Sequence, residues 1–199
     1  MIIQTFHGSL DRSIDRFHIA THFGCRDQAL SAIGAKRFLD SATSGLPTLY
    51  KVMIQVQKSL LCSFEKDWGK FGPQGALLPI KDLLMKEEES PEVRLDISKR
   101  FTAHHKTIGE ISCPAAAIVE AERILLAEAN GKYVVLQYEN SVEEKGSGYC
   151  VLDPSRITLL EVTYPSWSEV IETFKAHKDY YQVKSEVETF QSALRARGV

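Results

Sequence analysis

The segment YVVLQYENSVEEKGSGYCVLDPSRITLLEVTY, residues 133–164, decides the fold class because it holds short apolar runs separated by turn residues. Val, Ile, Leu and Tyr dominate the runs, whereas Gly146-Ser147-Gly148 and Asp153-Pro154-Ser155 interrupt them. The doublet Glu143-Glu144 stands just before the glycine turn. A solvated hairpin tip would place acids there, and so would an active site. The predicted strands are 133–138, 149–152 and 157–164.

The rest of the chain predicts strands near its start and helices in its middle. Residues 2–6 and 49–56 are β-prone, and the second run alternates apolar and polar side chains. Helical periodicity and stop signals predict helices over 27–41, 75–88, 91–105 and 114–129, from 165 onward and near 183–194. We therefore predict an α+β fold in one catalytic domain, residues 1–199, with a helical insertion at about 58–130.

Composition and charge narrow the classes of function. Of 199 residues, 44% are hydrophobic and 25% are charged, which is typical of a packed globular domain. A net charge of -2 gives no electrostatic reason to expect a nucleic-acid or anionic-membrane partner. No apolar run reaches the length of a membrane span, and MIIQTFHGSL lacks the features of a Sec signal peptide. We expect a cytoplasmic protein, or one passed by a dedicated export system into a host cell's cytosol.

The residue types that commonly bind metals are not arranged for a metal site. The four cysteines are far apart and form no CxxC pair, so no zinc knuckle is predicted. His104 and His105 are adjacent on a predicted helix and point about 100° apart, which does not suit joint metal binding. We expect no metal.

Three places carry residues suited to chemistry. They are His7-Gly8-Ser9 after the first strand, His22-Phe23-Gly24 before the first helix, and the segment 138–149. Each taken alone is more often structural, since a histidine at a strand end usually forms a hydrogen bond and paired glutamates in a hairpin are usually solvated.

Their order along the chain resembles the ADP-ribosyltransferase superfamily, on its diphtheria-toxin-like and poly-ADP-ribose-polymerase-like side. The closest likeness is to bacterial and phage effector-type transferases, which carry a His-Gly-Ser/Thr strand end, a central Phe-Gly and a late acid followed by Gly-Ser-x-Tyr. The resemblance covers the start of the chain and the segment around residue 140, and it leaves the helical middle outside. His22-Phe23 departs from the family's Tyr-x-Thr/Ser pattern, and the acid doublet leaves the register of the catalytic acid open.

The resemblance implies a mono-ADP-ribosyltransferase, acting as a bacterial effector or toxin, with NAD as co-substrate in a cleft between two small sheets. Glu143 would then stabilise the positive charge that develops on the ribose, with Glu144 as the alternative. His7 would donate a hydrogen bond to a ribose hydroxyl, and the backbone of Gly8 would approach the nicotinamide amide. An acid two residues before the catalytic one, common in arginine-directed transferases, is absent in either register.

The remaining groups have supporting roles by the same resemblance. Phe23, with His22, would form a stacking wall for the nicotinamide ring, and Ser9 would support the site. Tyr138 and Asn140 flank the acids and are expected to face the substrate or its contacts.

The acceptor is expected to be a macromolecule, with a protein favoured, contacted by the helical insertion and by the loop 66–75. Three other functions stay open: transfer of an RNA 2′-phosphate to NAD, a non-catalytic NAD-binding or protein-interaction module of the same fold, and an unrelated α+β binding domain.

Overall fold

The computed structural model of the chain describes residues 1–14, 16–39, 45–64, 72–140, 146–177 and 179–197. Its fold is α+β, as the sequence predicts, with two small open sheets. The strands are β1 (Ile2–Ser9), β2 (Thr21–Phe23), β3 (Thr48–Gln55), β4 (Leu61–Phe64), β5 (Val135–Asn140), β6 (Gly146–Val151) and β7 (Ile157–Thr163). The α-helices are α1 (Arg26–Phe38), α2 (Gly72–Glu87), α3 (Pro91–Gly109), α4 (Pro114–Ala129), α5 (Trp167–Phe174) and α6 (Lys184–Ala196).

The two sheets meet where β1 passes β2. The first sheet has the order β1-β3-β7 and is antiparallel, and the second has the order β2-β6-β5-β4. Phe6 and Gly24 exchange two backbone hydrogen bonds of 2.9 Å, and the Thr5 hydroxyl donates to the Gly24 carbonyl at 2.6 Å. This bridge holds the end of the first strand against the start of the first helix.

A shared core lies between the sheets. The alternation predicted for β3 buries Tyr50, Val52 and Ile54 on one side. Val135 and Val151 of the second sheet pack in the same cluster. Because each of these strands contributes apolar side chains to one interior, the sheets are fixed relative to one another.

The middle of the chain is not purely helical, which corrects the predicted insertion at 58–130. Leu61–Phe64 forms β4, which pairs parallel to β5 at the edge of the second sheet. A four-residue strand whose partner begins at Val135 has too little local periodicity to be recognised in the sequence.

Helices α2, α3 and α4 pack on the face of the second sheet that turns away from the first. Ile80, Phe101 and Leu125 are fully buried there, in one cluster with Leu136 and Tyr138. Glu128 of α4 joins α3 through Arg100 Nε at 2.8 Å and His104 Nε2 at 2.9 Å. These helices therefore form a main core of the protein, and His104 has a structural partner.

Helix α1 packs closely on both β1 and α5. A Cβ added at Gly8 would lie 2.0 Å from the Ala29 carbonyl oxygen, and one added at Gly34 would lie 2.5 Å from the Phe174 ring. Cys25 and Gln28 form a capping box that fixes the helix start. In the part of the chain that the structure describes, no helix has the length and hydropathy needed to cross a bilayer.

Candidate functional site

A cleft of about 710 Å³ opens at the junction of the two sheets. Its floor comes from the end of β1 and from β2, and Tyr138 and Asn140 of β5 line it too. One wall is α1, and the other is α4 with the first residues of α2. The structure therefore brings His7, His22 and Tyr138 together from distant parts of the sequence.

His7 is held in one tautomer by the strand next to it. Its Nδ1 lies 2.8 Å from the carbonyl oxygen of His22, which only accepts hydrogen bonds, so Nδ1 carries the proton. Burial, with the nearby Lys36 ammonium, lowers the pKa of His7 to about 3. The ring is therefore neutral near pH 7, and Nε2 is a hydrogen-bond acceptor. The donor role expected for His7 towards a ribose hydroxyl becomes an acceptor role in this tautomer.

His22 links β2 to β5. Its Nδ1 lies 2.9 Å from the Tyr138 hydroxyl, and the two rings meet edge to face with their centroids 5.6 Å apart. Burial, together with His7 and Lys36, lowers the pKa of His22 to about 3 as well. His7 and His22 are thus both uncharged at physiological pH.

Gly148 makes room for Tyr138. The two residues are paired across β5 and β6, and a Cβ on Gly148 would lie 2.4 Å from the Tyr138 ring. The Gly-Ser-Gly sequence that suggested a turn therefore continues as strand β6. Gly146 at its start has a φ of +147°, a conformation that favours glycine.

Phe23 contributes more to the floor of the cleft than to an open wall. Only 3% of its surface is exposed, and its ring packs 5.6 Å from His7 and 5.2 Å from Phe17. Little of the ring is left for a ligand to stack on. Ser9 lies outside the cleft lining, and its hydroxyl oxygen accepts a hydrogen bond from the Asp11 backbone.

Helix α1 gives the cleft a wall of small side chains with one cation. Ala29, Ala32 and Ala35 line the cleft at helical spacing, and Lys36 follows on the same face. The Lys36 ammonium donates a hydrogen bond of 2.7 Å to the carbonyl oxygen of Gly8. Alanine side chains leave the space open, so the cleft volume depends on them.

The opposite wall comes from one face of α4. Ala115, Ile118 and Glu122 are spaced three and four residues apart and line the cleft. Ile118 keeps 52% of its surface exposed, so this wall presents apolar area to whatever occupies the cleft. Across the described ranges, no group of three His, Cys, Asp or Glu residues is close enough to hold a metal ion.

Ala20 supports the rim in a strained conformation. Its φ is +60°, which an alanine rarely adopts, and only 2% of its surface is exposed. Its amide donates to the Val151 carbonyl at 2.8 Å, and this bond holds the residue in place. Strain of this kind concentrates at functional sites.

The predicted catalytic acids, Glu143 and Glu144, lie outside the described residues. The described residues on either side, Asn140 and Gly146, are paired across β5 and β6, and Asn140 lines the cleft. Most of the predicted target-recognition loop 66–75 is also outside the described residues, except that 72–75 form the first turn of α2.

Comparisons of this chain with protein-family models, with curated proteins and with solved structures returned no match. A function must therefore be argued from the chemistry of the cleft itself.

Sequence reasoning singled out none of the polar residues Gln28, Lys36 and Glu122, which line the cleft. All three are on helices, where an isolated polar residue usually faces solvent. Lys36 follows Ala32 and Ala35 on a helix that packs against the first strand, and that apolar helix face was the one available signal for it. No pattern pointed to Glu122, because its position depends on how α4 packs.

Proposed function

We propose that the protein is a mono-ADP-ribosyltransferase that binds NAD in this cleft and transfers ADP-ribose to a macromolecular acceptor. One observation carries the proposal. His7, His22 and Tyr138, which the resemblance assigns to NAD binding, lie in one cleft at the junction of two small sheets.

The walls of the cleft suit the two kinds of surface that a nicotinamide riboside unit presents. The alanine face of α1 and Ile118 of α4 offer apolar area to a flat ring. Neutral His7 offers an acceptor nitrogen to a ribose hydroxyl. The volume of about 710 Å³ falls within the usual range for small-molecule sites, about 300–1,000 Å³.

In the proposed reaction, the bond between nicotinamide and C1′ of the ribose breaks and nicotinamide leaves with the bonding electron pair. The acceptor's nucleophile then forms a bond to C1′ and releases its proton to solvent or to a base. Positive charge develops on the ribose between these events. Glu143, with Glu144 as the alternative, keeps the predicted role of stabilising that charge, an effect typically worth about 10²–10³ in rate.

The test measures NAD binding and ADP-ribose transfer separately. Calorimetry measures the affinity for NAD, and NAD labelled in its adenylate phosphate, incubated with the protein and a cell lysate, reveals transfer. We expect wild type to bind NAD and label an acceptor. We expect Glu143→Gln to lose about 10²–10³ in labelling rate while its NAD affinity changes little.

Glu139→Gln is the matched control, because Glu139 is an exposed acid on the neighbouring strand. It should label as wild type does. Loss of labelling in Glu144→Gln instead would move the catalytic role by one residue. NAD binding without any labelling would favour the non-catalytic module, and absence of both would reject the proposal.

The target is proposed to be a protein that contacts the α4 wall. Ile118 lines the cleft and is 52% exposed, and Val119, the next residue of α4, is 64% exposed. Exposed apolar side chains next to a catalytic site suit a protein surface better than a nucleic acid, and the net charge of -2 agrees with this.

A further inference from the structure

Lys36 is a cation that reaches into the cleft from α1. Its ammonium lies 2.7 Å from the Gly8 carbonyl oxygen, and its side chain is half-buried. Among the described residues, no carboxylate lies within ion-pair distance of it, although ten other ion pairs are formed in the same ranges. Within the described ranges, the hydrogen bond to the neutral Gly8 carbonyl oxygen is the polar contact found for this cation.

The surroundings of Lys36 make an anionic ligand favourable. His7 and His22 are neutral, and the neighbouring wall residues Ala32 and Ala35 are apolar. Burial lowers the pKa of the Lys36 amine. A positive charge in such a setting gains more from an anion than it would in water, since little solvent screens the pair.

The carbonyl oxygen that holds Lys36 belongs to the residue assigned to the nicotinamide amide. If the Gly8 backbone accepts a hydrogen bond from the carboxamide of nicotinamide, the Lys36 ammonium already takes one of the two lone pairs of that oxygen and places a positive charge beside the incoming amide N–H. In a ligand with both a carboxamide and a phosphate group, the phosphate would bind the Lys36 ammonium more strongly than the neutral carbonyl oxygen does. The Gly8 carbonyl oxygen would then be available to the carboxamide.

We propose that Lys36 is a latch: it binds the pyrophosphate of NAD and, in moving to it, frees the Gly8 carbonyl oxygen for the nicotinamide carboxamide. The inference rests on the proposed function and adds a specificity-determining residue to it. It makes binding of the two ends of NAD cooperative, because the anion removes a competitor from the other subsite. No covalent step is involved.

The test uses calorimetry with NAD, ADP-ribose, inorganic pyrophosphate and nicotinamide on wild type and Lys36→Met. Loss of a charge-assisted hydrogen bond should weaken NAD and ADP-ribose by roughly 10- to 100-fold. Nicotinamide alone should bind more tightly, by roughly 2- to 10-fold, because the Gly8 acceptor is free in the variant. Damage to the fold would weaken all four ligands together, so the opposite signs identify the latch.

Lys36→Arg keeps the charge and should keep affinity for ADP-ribose within about tenfold of wild type. Lys99→Met, on an exposed position of α3, is the matched control and should bind every ligand as wild type does. A second neutral variant, Lys36→Gln, repeats the measurement if Lys36→Met has a lower melting temperature.

The outcomes separate the latch from the function. If wild type binds NAD, and Lys36→Met binds both NAD and nicotinamide with the same affinities as wild type, the latch is wrong and the proposed function stands. If nicotinamide also weakens in both neutral variants, Lys36 is a structural residue and the latch is again wrong. If wild type shows no binding of NAD but binds pyrophosphate, and Lys36→Met loses the pyrophosphate binding, the anion site stands and the NAD function fails.

Discussion

Replacing Gly8 with alanine would force a methyl group into the backbone of α1. The added Cβ would lie 2.0 Å from the Ala29 carbonyl oxygen and 2.9 Å from Cγ1 of Ile33. The nearest atom is part of a helical backbone, which cannot rotate aside as a side-chain tip can. The strand and the helix must therefore separate to admit the methyl group.

The expected loss of stability follows from that clash. Overpacking a core typically costs about 1–3 kcal/mol, and contact with a backbone atom places Gly8→Ala at the upper end, about 3 kcal/mol. For a chain of this size, each kcal/mol lowers the melting temperature by about 2–4 °C, so we expect a fall of roughly 6–12 °C. Gly109, at the end of α3, has no atom within 4 Å of an added Cβ. Gly109→Ala should therefore leave the melting temperature unchanged or raise it slightly, since alanine favours helix.

Thermal unfolding followed by circular dichroism gives both melting temperatures, and urea unfolding at 25 °C gives the free energies. A Gly8→Ala protein that melts within about 2 °C of wild type would contradict the close packing of α1 on β1. With that result, the presence of glycine at position 8 would be explained by the approach of a ligand to its backbone and not by packing against α1. A large fall would make packing a sufficient reason, whether or not NAD approaches the same residue.

Two further predictions concern the imidazoles. Tyr138→Phe removes the hydroxyl that is hydrogen-bonded to His22, and it should lower the free energy of unfolding, measured in urea, by about 0.5–1.5 kcal/mol. The control Tyr181→Phe, at a 79% exposed position, should leave the free energy of unfolding unchanged. A Tyr138→Phe protein as stable as wild type would contradict the hydrogen bond to His22. Burial holds the pKa of His7 and His22 to about 3, below the unfolded value of 6.5, so stability is fully present above pH 6.5 and is lost as the pH falls towards 3. We expect a loss of roughly 1–3 kcal/mol between pH 6.5 and 5, measured by urea unfolding at fixed ionic strength, and a flat profile over that interval would refute the neutral buried imidazoles.

Most helices and strands could be predicted from the sequence because a few neighbouring residues determine where each begins, ends and buries a face. Helix α4 begins and ends where Pro114 and Asn130 predict, since proline starts a helix readily and Asn130 adopts the left-handed conformation that stops one. The alternation of β3 likewise predicted its buried face. Strand β4 was missed because four residues carry no period of their own.

The candidate site could be predicted only in part, for the same physical reason. His7 lies two residues before the end of β1, and His22 is the middle residue of the three-residue β2. The short apolar runs around them are visible in the sequence, so their place on strands follows from local sequence, although the prediction ended the first strand before His7. Lys36 and Glu122 line the cleft because α1 and α4 pack on opposite sides of it, which no short pattern encodes. The hydrogen bond from Nδ1 of His7 also depends on strand placement, and this bond reverses the expected role of the ring.

The parallel pairing of β4 with β5 has a consequence for biosynthesis. Leu61 leaves the ribosome long before its partner Val135, and three helices are made in between. Those helices make many local contacts and form early, whereas the edge pairing must wait for the late strand. Until then β4 is an unpaired apolar strand, which is a hazard for aggregation in the nascent chain. Stalled synthesis within α4 should therefore give an aggregation-prone product, and synthesis through β6 should remove that hazard.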